Sequence, residues 1–81
     1  MAQTLTDEET RILEMIQGHY GPQNTTSSVT WMGEEATLWV TDDTGGAVLF
    51  VHLTNLAEWL SDGTIANDDE LRRDWLLIED P

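Results

Sequence analysis

Lysine is absent from this chain, and the only arginines are Arg11, Arg72 and Arg73. Against these three cations stand 16 aspartate and glutamate side chains in 81 residues, which gives a formal net charge of −13 at pH 7. Without a basic patch to hold phosphate groups, we expect no direct binding of DNA or RNA and no attraction to anionic membranes. A surplus of this size repels itself in the compact state, so the fold alone does not account for it.

Cysteine is absent as well, which excludes a disulfide framework and a thiolate metal site. The longest apolar stretch, residues 47–53, is interrupted by His52 and is too short to span a bilayer. The first five residues carry neither a basic region nor an apolar run, so we expect no secretory signal. These absences together indicate a cytoplasmic protein.

Catalytic and metal-binding signatures are missing too. No G-x-S-x-G sequence is present, and His19 and His52 are far apart and lack an H-x-x-x-H context. The Asp42-Asp43 turn does not have the spacing of an EF-hand loop. We therefore expect no enzyme activity, no cofactor and no metal.

A folded α+β domain is nevertheless expected over residues 1–81. Apolar residues make up 40% of the chain and include four tryptophans, a content typical of a globular domain rather than a disordered acidic tail. Thr6 and Glu9 form a capping-box sequence ahead of an apolar stripe at helical spacing, and Gly21-Pro22 follows it. The pattern predicts a helix over residues 7–19.

Three short β-type segments follow, over residues 28–32, 36–41 and 47–53, with tight turns at Gly33-Glu34 and at residues 42–46. They predict a three-stranded antiparallel meander, in which the very apolar third strand is central or covered by helices. Thr54 is expected to cap a short helix over residues 55–61 that Gly63 ends. The last segment, residues 68–77, favours a helix, with a short strand over residues 75–78 as the alternative.

The carboxylates occur in clusters at predicted helix starts and turns, with a further pair at Glu79 and Asp80. Aspartate and glutamate suit these places locally, because they stabilise helix N-termini and form turns. Local structure does not explain the lack of compensating cations. We predict that a basic partner is bound by Asp7, Glu8, Glu9, Glu34, Glu35, Asp42, Asp43, Asp68, Asp69, Glu70 and Asp74, with Trp39 as the apolar anchor.

Trp39 allows two interpretations. If Leu38 and Val40 face the core, Trp39 faces the other way; either a helix covers it there, or it is exposed with Tyr20 or Met32 as a binding anchor. The expected registers also make Trp31 a close neighbour of Trp39.

The leading functional hypothesis is a small acidic protein, a monomer or homodimer, that docks on a basic surface. It would imitate the charge of a nucleic acid and inhibit a nucleic-acid-binding protein, as small phage- or plasmid-encoded inhibitors do. The alternative is a non-catalytic cytosolic domain whose acidity reflects a halophilic or GC-rich source.

Overall fold

A computed structural model describes residues 4–78 and confirms the α+β class. The helices pack on one face of a three-stranded antiparallel sheet, and among the described residues they leave the other face open. The elements in chain order are helix α1 (Asp7–Tyr20), a 3-10 turn (Gly21–Gln23), strands β1 (Thr26–Met32), β2 (Glu35–Thr41) and β3 (Ala47–His52), helix α2 (Leu53–Asp62), helix α3 (Asp68–Glu70) and a π-helical turn (Leu71–Trp75).

The capping box predicted for α1 is present. The Glu9 amide donates to the Thr6 hydroxyl at 3.2 Å, and the Thr6 amide donates to Oε1 of Glu9 at 2.9 Å. Ile12, Ile16 and Tyr20 lie on the buried side of the helix, one turn apart. Local capping and one apolar stripe therefore account for this element.

The sheet has the order β1-β2-β3 and is a meander. Met32 pairs with Glu35 across the predicted two-residue turn, in which Gly33 has a φ of +63°. The expectation that the third strand is central or covered by helices is wrong, since β3 is an edge strand and only one of its faces is covered. Val51 is buried on the helix side, whereas Phe50 is exposed on the other.

The core lies between the sheet and the helices. Ala36, Leu38 and Val40 of β2 are fully buried, as are Ile12 and Ile16 of α1. Further core side chains come from α2, from the segment between α2 and α3, and from the π-helical turn and the residues after it: Leu53, Leu56, Ile65, Leu71, Leu76 and Ile78. This one-sided packing fixes which face of the sheet remains available.

Helix α2 begins earlier than the sequence predicts. Its N-cap is His52, without a side-chain capping bond, so the prediction that Thr54 caps this helix is wrong. Thr54 lies instead in the first turn and bonds to other elements. The helix ends at Gly63, whose φ of +88° explains why glycine serves there.

The C-terminal segment is helical, as favoured over the strand. The Asn67 side chain accepts a hydrogen bond from the Glu70 amide and caps α3, and the chain continues through a π-helical turn to Trp75. The buried Tyr20 hydroxyl donates to the Leu76 carbonyl at 3.0 Å and attaches this segment to α1. The next residue, Leu77, has a φ of +56° and is 67% exposed.

Candidate protein-binding surface

The open face of the sheet carries an aromatic pair. Trp39 pairs in register with Phe50, and their rings meet edge to face with centroids 4.3 Å apart. Trp39 is 37% exposed and Phe50 45% exposed, so no helix within residues 4–78 covers them. Of the two interpretations of Trp39, the structure shows the exposed position; the role of Trp39 as a binding anchor stays a prediction.

The other aromatic and apolar residues proposed near Trp39 are distributed differently. Met32 is 73% exposed and lies at the end of β1, whereas Tyr20 is in the core. The prediction that Trp31 is a close neighbour of Trp39 is wrong. Trp31 pairs with Ala36 on the helix-covered side, and Trp39 stands opposite Ser28. The alternation of strand side chains places the two tryptophans on opposite faces of the sheet.

Phe50 also belongs to a groove at the free edge of β3. The groove has a volume of about 220 Å³ and is lined by Phe50, Val51, His52, Asn55, Leu56, Trp59 and Trp75. The Trp59 and Trp75 rings lie 5.0 Å apart at 51° to each other, and the His52 ring meets Phe50 edge to face at 4.9 Å. The aromatic pair and the groove thus form one continuous surface.

Two of the acidic clusters meet at one end of the molecule. The Thr54 hydroxyl accepts a hydrogen bond from the Ala36 amide at 2.8 Å and donates one to Oε2 of Glu9 at 2.7 Å. These bonds bring the first turn of α1, with Asp7 and Glu8, next to the start of β2. Glu34 and Glu35 lie there too, and we call these four exposed acids the acidic end.

Glu9 itself is not part of that surface. Only 5% of the residue is exposed, and both carboxylate oxygens accept hydrogen bonds from within the fold. Burial raises the pKa of this carboxyl, but the hydrogen bonds from Thr6 and Thr54 outweigh it and hold the pKa below its ordinary value. Unlike Asp7 and Glu8, which were predicted to contact a partner with it, Glu9 is thus buried, and its charge is used within the fold.

Asp42 and Asp43 lie at the opposite end of the sheet. β2 has 7 residues between the two turns, so about 20 Å separates this pair from Glu34 and Glu35. Oδ1 of Asp42 accepts hydrogen bonds from the amide and hydroxyl of Thr44 and from the Gly46 amide. These bonds hold the pKa of Asp42 below its ordinary value and make it a turn-forming residue.

The acids of the C-terminal helix are compensated by the arginines. Arg11 approaches Asp68 at 3.5 Å, Arg72 approaches Asp69 at 2.7 Å, and Arg73 approaches Asp74 at 3.1 Å. The Glu70 carboxylate accepts from the Ala66 amide at 2.8 Å. The clusters at 68–70 and 74 are therefore the least negative of the predicted contact sites, while Glu79 and Asp80 lie outside the described residues.

Sequence reasoning missed the groove. Its residues come from β3, from α2 and from the end of the π-helical turn. The only available signal was the alternation of Val48, Phe50 and His52 with Leu49 and Val51, which marks one face of β3 as separate from the core. The overall apolarity of the strand hid that alternation.

Within residues 4–78, no three histidine or acidic side chains are arranged to hold a metal ion. The same part of the chain contains no helix with the length and apolar character needed to cross a membrane. Comparisons of the chain with protein-family models, with curated proteins and with solved structures gave no match.

Proposed function

We propose that this chain is a small protein-interaction domain that docks the open face of its sheet on a basic partner protein. The observation that carries the proposal is the pairing of Trp39 and Phe50 on a face that the helices leave open. Large aromatic side chains at the centre of a contact, with polar and charged residues around them, are typical of the residues that dominate binding energy.

Charge supports the choice of a basic partner. Glu35 lies on the same face of β2 as Trp39, because the two positions differ by an even number of residues. Asp42 and Asp43 follow the other end of that strand, so negative charge flanks the aromatic pair along the sheet. The net charge of −13 adds a long-range attraction for a positive surface and speeds encounter with it.

Imitation of a nucleic acid is the narrower form of this proposal. Asp7, Glu8, Glu34 and Glu35 of the acidic end are all exposed, and the hydrogen bonds of Thr54 bring their two elements together. A competitor for a phosphate-binding groove requires neighbouring carboxylates of this kind. In this form the partner binds DNA or RNA in the groove that the domain occupies. Nucleic acid and the domain then exclude each other, and the domain acts as an inhibitor.

The test is affinity capture from the source cell, followed by binding of the identified partner in purified form. We expect a basic protein, and we expect Trp39→Ala to weaken its binding by about 2 kcal/mol, or about thirtyfold. Leu77→Ala is the control, since it removes an exposed apolar side chain that belongs to the C-terminal segment and not to a strand. Equal losses in both variants, or none in either, would contradict docking through this face.

Charge variants locate the electrostatic contribution. Glu34→Gln with Glu35→Gln removes two charges from the acidic end, and Asp69→Asn with Asp74→Asn removes two that face arginines. We expect the first pair to slow association more than the second. Displacement of the domain by nucleic acid supports inhibition by mimicry, whereas simultaneous binding of both limits the proposal to a protein contact.

A further inference from the structure

We infer that the groove at the edge of β3 binds an arginine side chain of the partner. This inference rests on the proposed function, because it assigns one contact within the same docking surface. Phe50 links the two parts, since it belongs both to the exposed aromatic pair and to the groove lining. A partner that covers Trp39 therefore reaches the groove without leaving the surface.

The size of the groove suits a single side chain. Its volume of about 220 Å³ lies below the range of typical small-molecule sites, which begins at about 300 Å³. Trp59 and Trp75 stand with their rings 5.0 Å apart and 51° from parallel, and Phe50 closes the β3 side. Aromatic rings around a small cavity are the arrangement that recognises cationic groups.

Arginine fits this lining better than the other common side chains. Its planar guanidinium stacks on aromatic rings, is weakly hydrated and carries several donors. The lining is mainly apolar but includes Asn55, a residue whose side-chain carbonyl accepts hydrogen bonds. An aliphatic side chain would fill the groove without using either the aromatic faces or the amide.

Charge also argues against a second copy of this chain as the occupant. Two copies would bring together net charges of −13 each, and the chain has no lysine to offer. Its three arginines already form ion pairs with Asp68, Asp69 and Asp74. A positively charged partner meets no such repulsion, so the cation that enters the groove comes from another protein.

The experiment is an NMR titration of the full chain with short blocked peptides that differ at one central residue. The probes carry arginine, citrulline, which keeps the shape and loses the charge, or norleucine, which is apolar. The four tryptophan indole signals serve as internal reporters. We expect the arginine peptide to shift the Trp59 and Trp75 signals, to leave Trp31 unchanged, and to bind about tenfold more tightly than the citrulline peptide.

Variants distinguish binding in the groove from non-specific electrostatic binding of a cationic peptide to an acidic protein. Trp75→Leu keeps the net charge and changes a residue that is 41% exposed, so the fold should tolerate it. We expect it to abolish the selective shift at Trp59. Equal binding of the norleucine peptide, an unchanged response in Trp75→Leu, or uniform shifts of all four indoles would overturn the inference.

The two proposals fail separately. Trp39→Ala should weaken binding of the partner protein. It should not change the shifts of the Trp59 and Trp75 signals with the arginine peptide, because Trp39 does not line the groove. If Trp39→Ala weakens partner binding but the arginine peptide does not shift the Trp59 and Trp75 signals, docking through the open face of the sheet is retained and the arginine site is rejected. If the arginine peptide shifts those signals but Trp39→Ala does not change the affinity for the partner protein, docking through the open face is rejected instead.

Discussion

The hydroxyl of Thr54 donates a hydrogen bond to the buried carboxylate of Glu9 at 2.7 Å, across 45 positions of the sequence. The same hydroxyl accepts from the Ala36 amide at 2.8 Å, so one oxygen joins the first turns of two helices and the start of the central strand. This junction attaches the helical layer to the sheet. It also places the acidic end beside the turn between β1 and β2.

Replacement of Thr54 by valine should destabilise the protein. The change keeps the shape of the side chain but leaves the Ala36 amide and one Glu9 oxygen without their partner, a loss of about 2 kcal/mol. Urea titration at pH 7 measures it. Thr54→Ser retains the hydroxyl and is the matched control. If Thr54→Ser lowers the free energy of unfolding as much as Thr54→Val does, the methyl group and not the hydrogen bonds stabilises the junction.

Glu9 should make stability depend on pH. Its pKa is lower in the folded than in the unfolded state, so the folded protein binds fewer protons in acid. The stabilisation is full above the unfolded value of about 4.3 and is lost as the pH falls through the folded value. We expect urea midpoints to decrease below about pH 4.

Glu9→Gln separates this effect from that of the other carboxyl groups. The variant should be less stable at pH 7 and should lose less on acidification. The slope that remains comes from groups such as Asp42 and Asp62, whose pKa values are also lowered by hydrogen bonds to nearby threonines. Thr54→Val keeps the Glu9 carboxylate but removes one of the hydrogen bonds that lower its pKa, so it should also weaken the dependence of stability on acid pH; an unchanged dependence there would contradict the assignment to Glu9.

Replacement of Leu77 by asparagine should stabilise the protein. A leucine with a φ of +56° bears the steric cost of the left-handed region, about 1–2 kcal/mol, and its side chain is too exposed to recover that cost by burial. Leu77→Asn should stabilise by up to about 1 kcal/mol in thermal or urea unfolding. Leu77→Ala also shortens the side chain but lacks the polar group with which asparagine favours the left-handed region, so it should not stabilise the protein. Equal gains in both variants would reject backbone strain as the cause.

The melting temperature should rise with sodium chloride concentration at first and then level off. The screening length falls from about 10 Å at 0.1 M to about 3 Å at 1 M, so repulsion among the exposed carboxylates is largely relieved within that range. We expect a rise up to about 0.5 M and a plateau beyond it. A continued steep rise in multimolar salt would favour acidity adapted to a salty cytoplasm over acidity directed at a partner.

The secondary structure could be predicted because its determinants are local. The Thr6 and Glu9 pair, the turn at Gly33 and the stop at Gly63 each act within a few residues, and the structure confirms all three. The antiparallel meander follows from short connections between β-type segments. The bounds shifted by one to two residues at most of the ends, where capping and fraying compete.

The placement of the carboxylates required tertiary structure. From the sequence, Glu9 is one acid of a cluster like its neighbours Asp7 and Glu8. It is buried because Thr54, from a distant helix, satisfies its second oxygen. The pairing of Arg11 with Asp68 likewise depends on how α1 and α3 approach each other. Arg72 and Arg73 pair with acids of their own segment, whereas the docking of helices decides the burial of Glu9 and the partner of Arg11.

The exposure of the open face and the formation of the groove also depend on tertiary structure. Alternation along β2 and β3 determined that Trp39 and Phe50 point away from Leu38 and Val51. Whether that side is covered depends on where the helices pack, and their apolar residues all converge on the opposite side. The sequence by itself therefore determined the elements, their order and the excess of negative charge. Only the tertiary structure decided which faces and charges remain exposed, because contacts between distant segments fix burial.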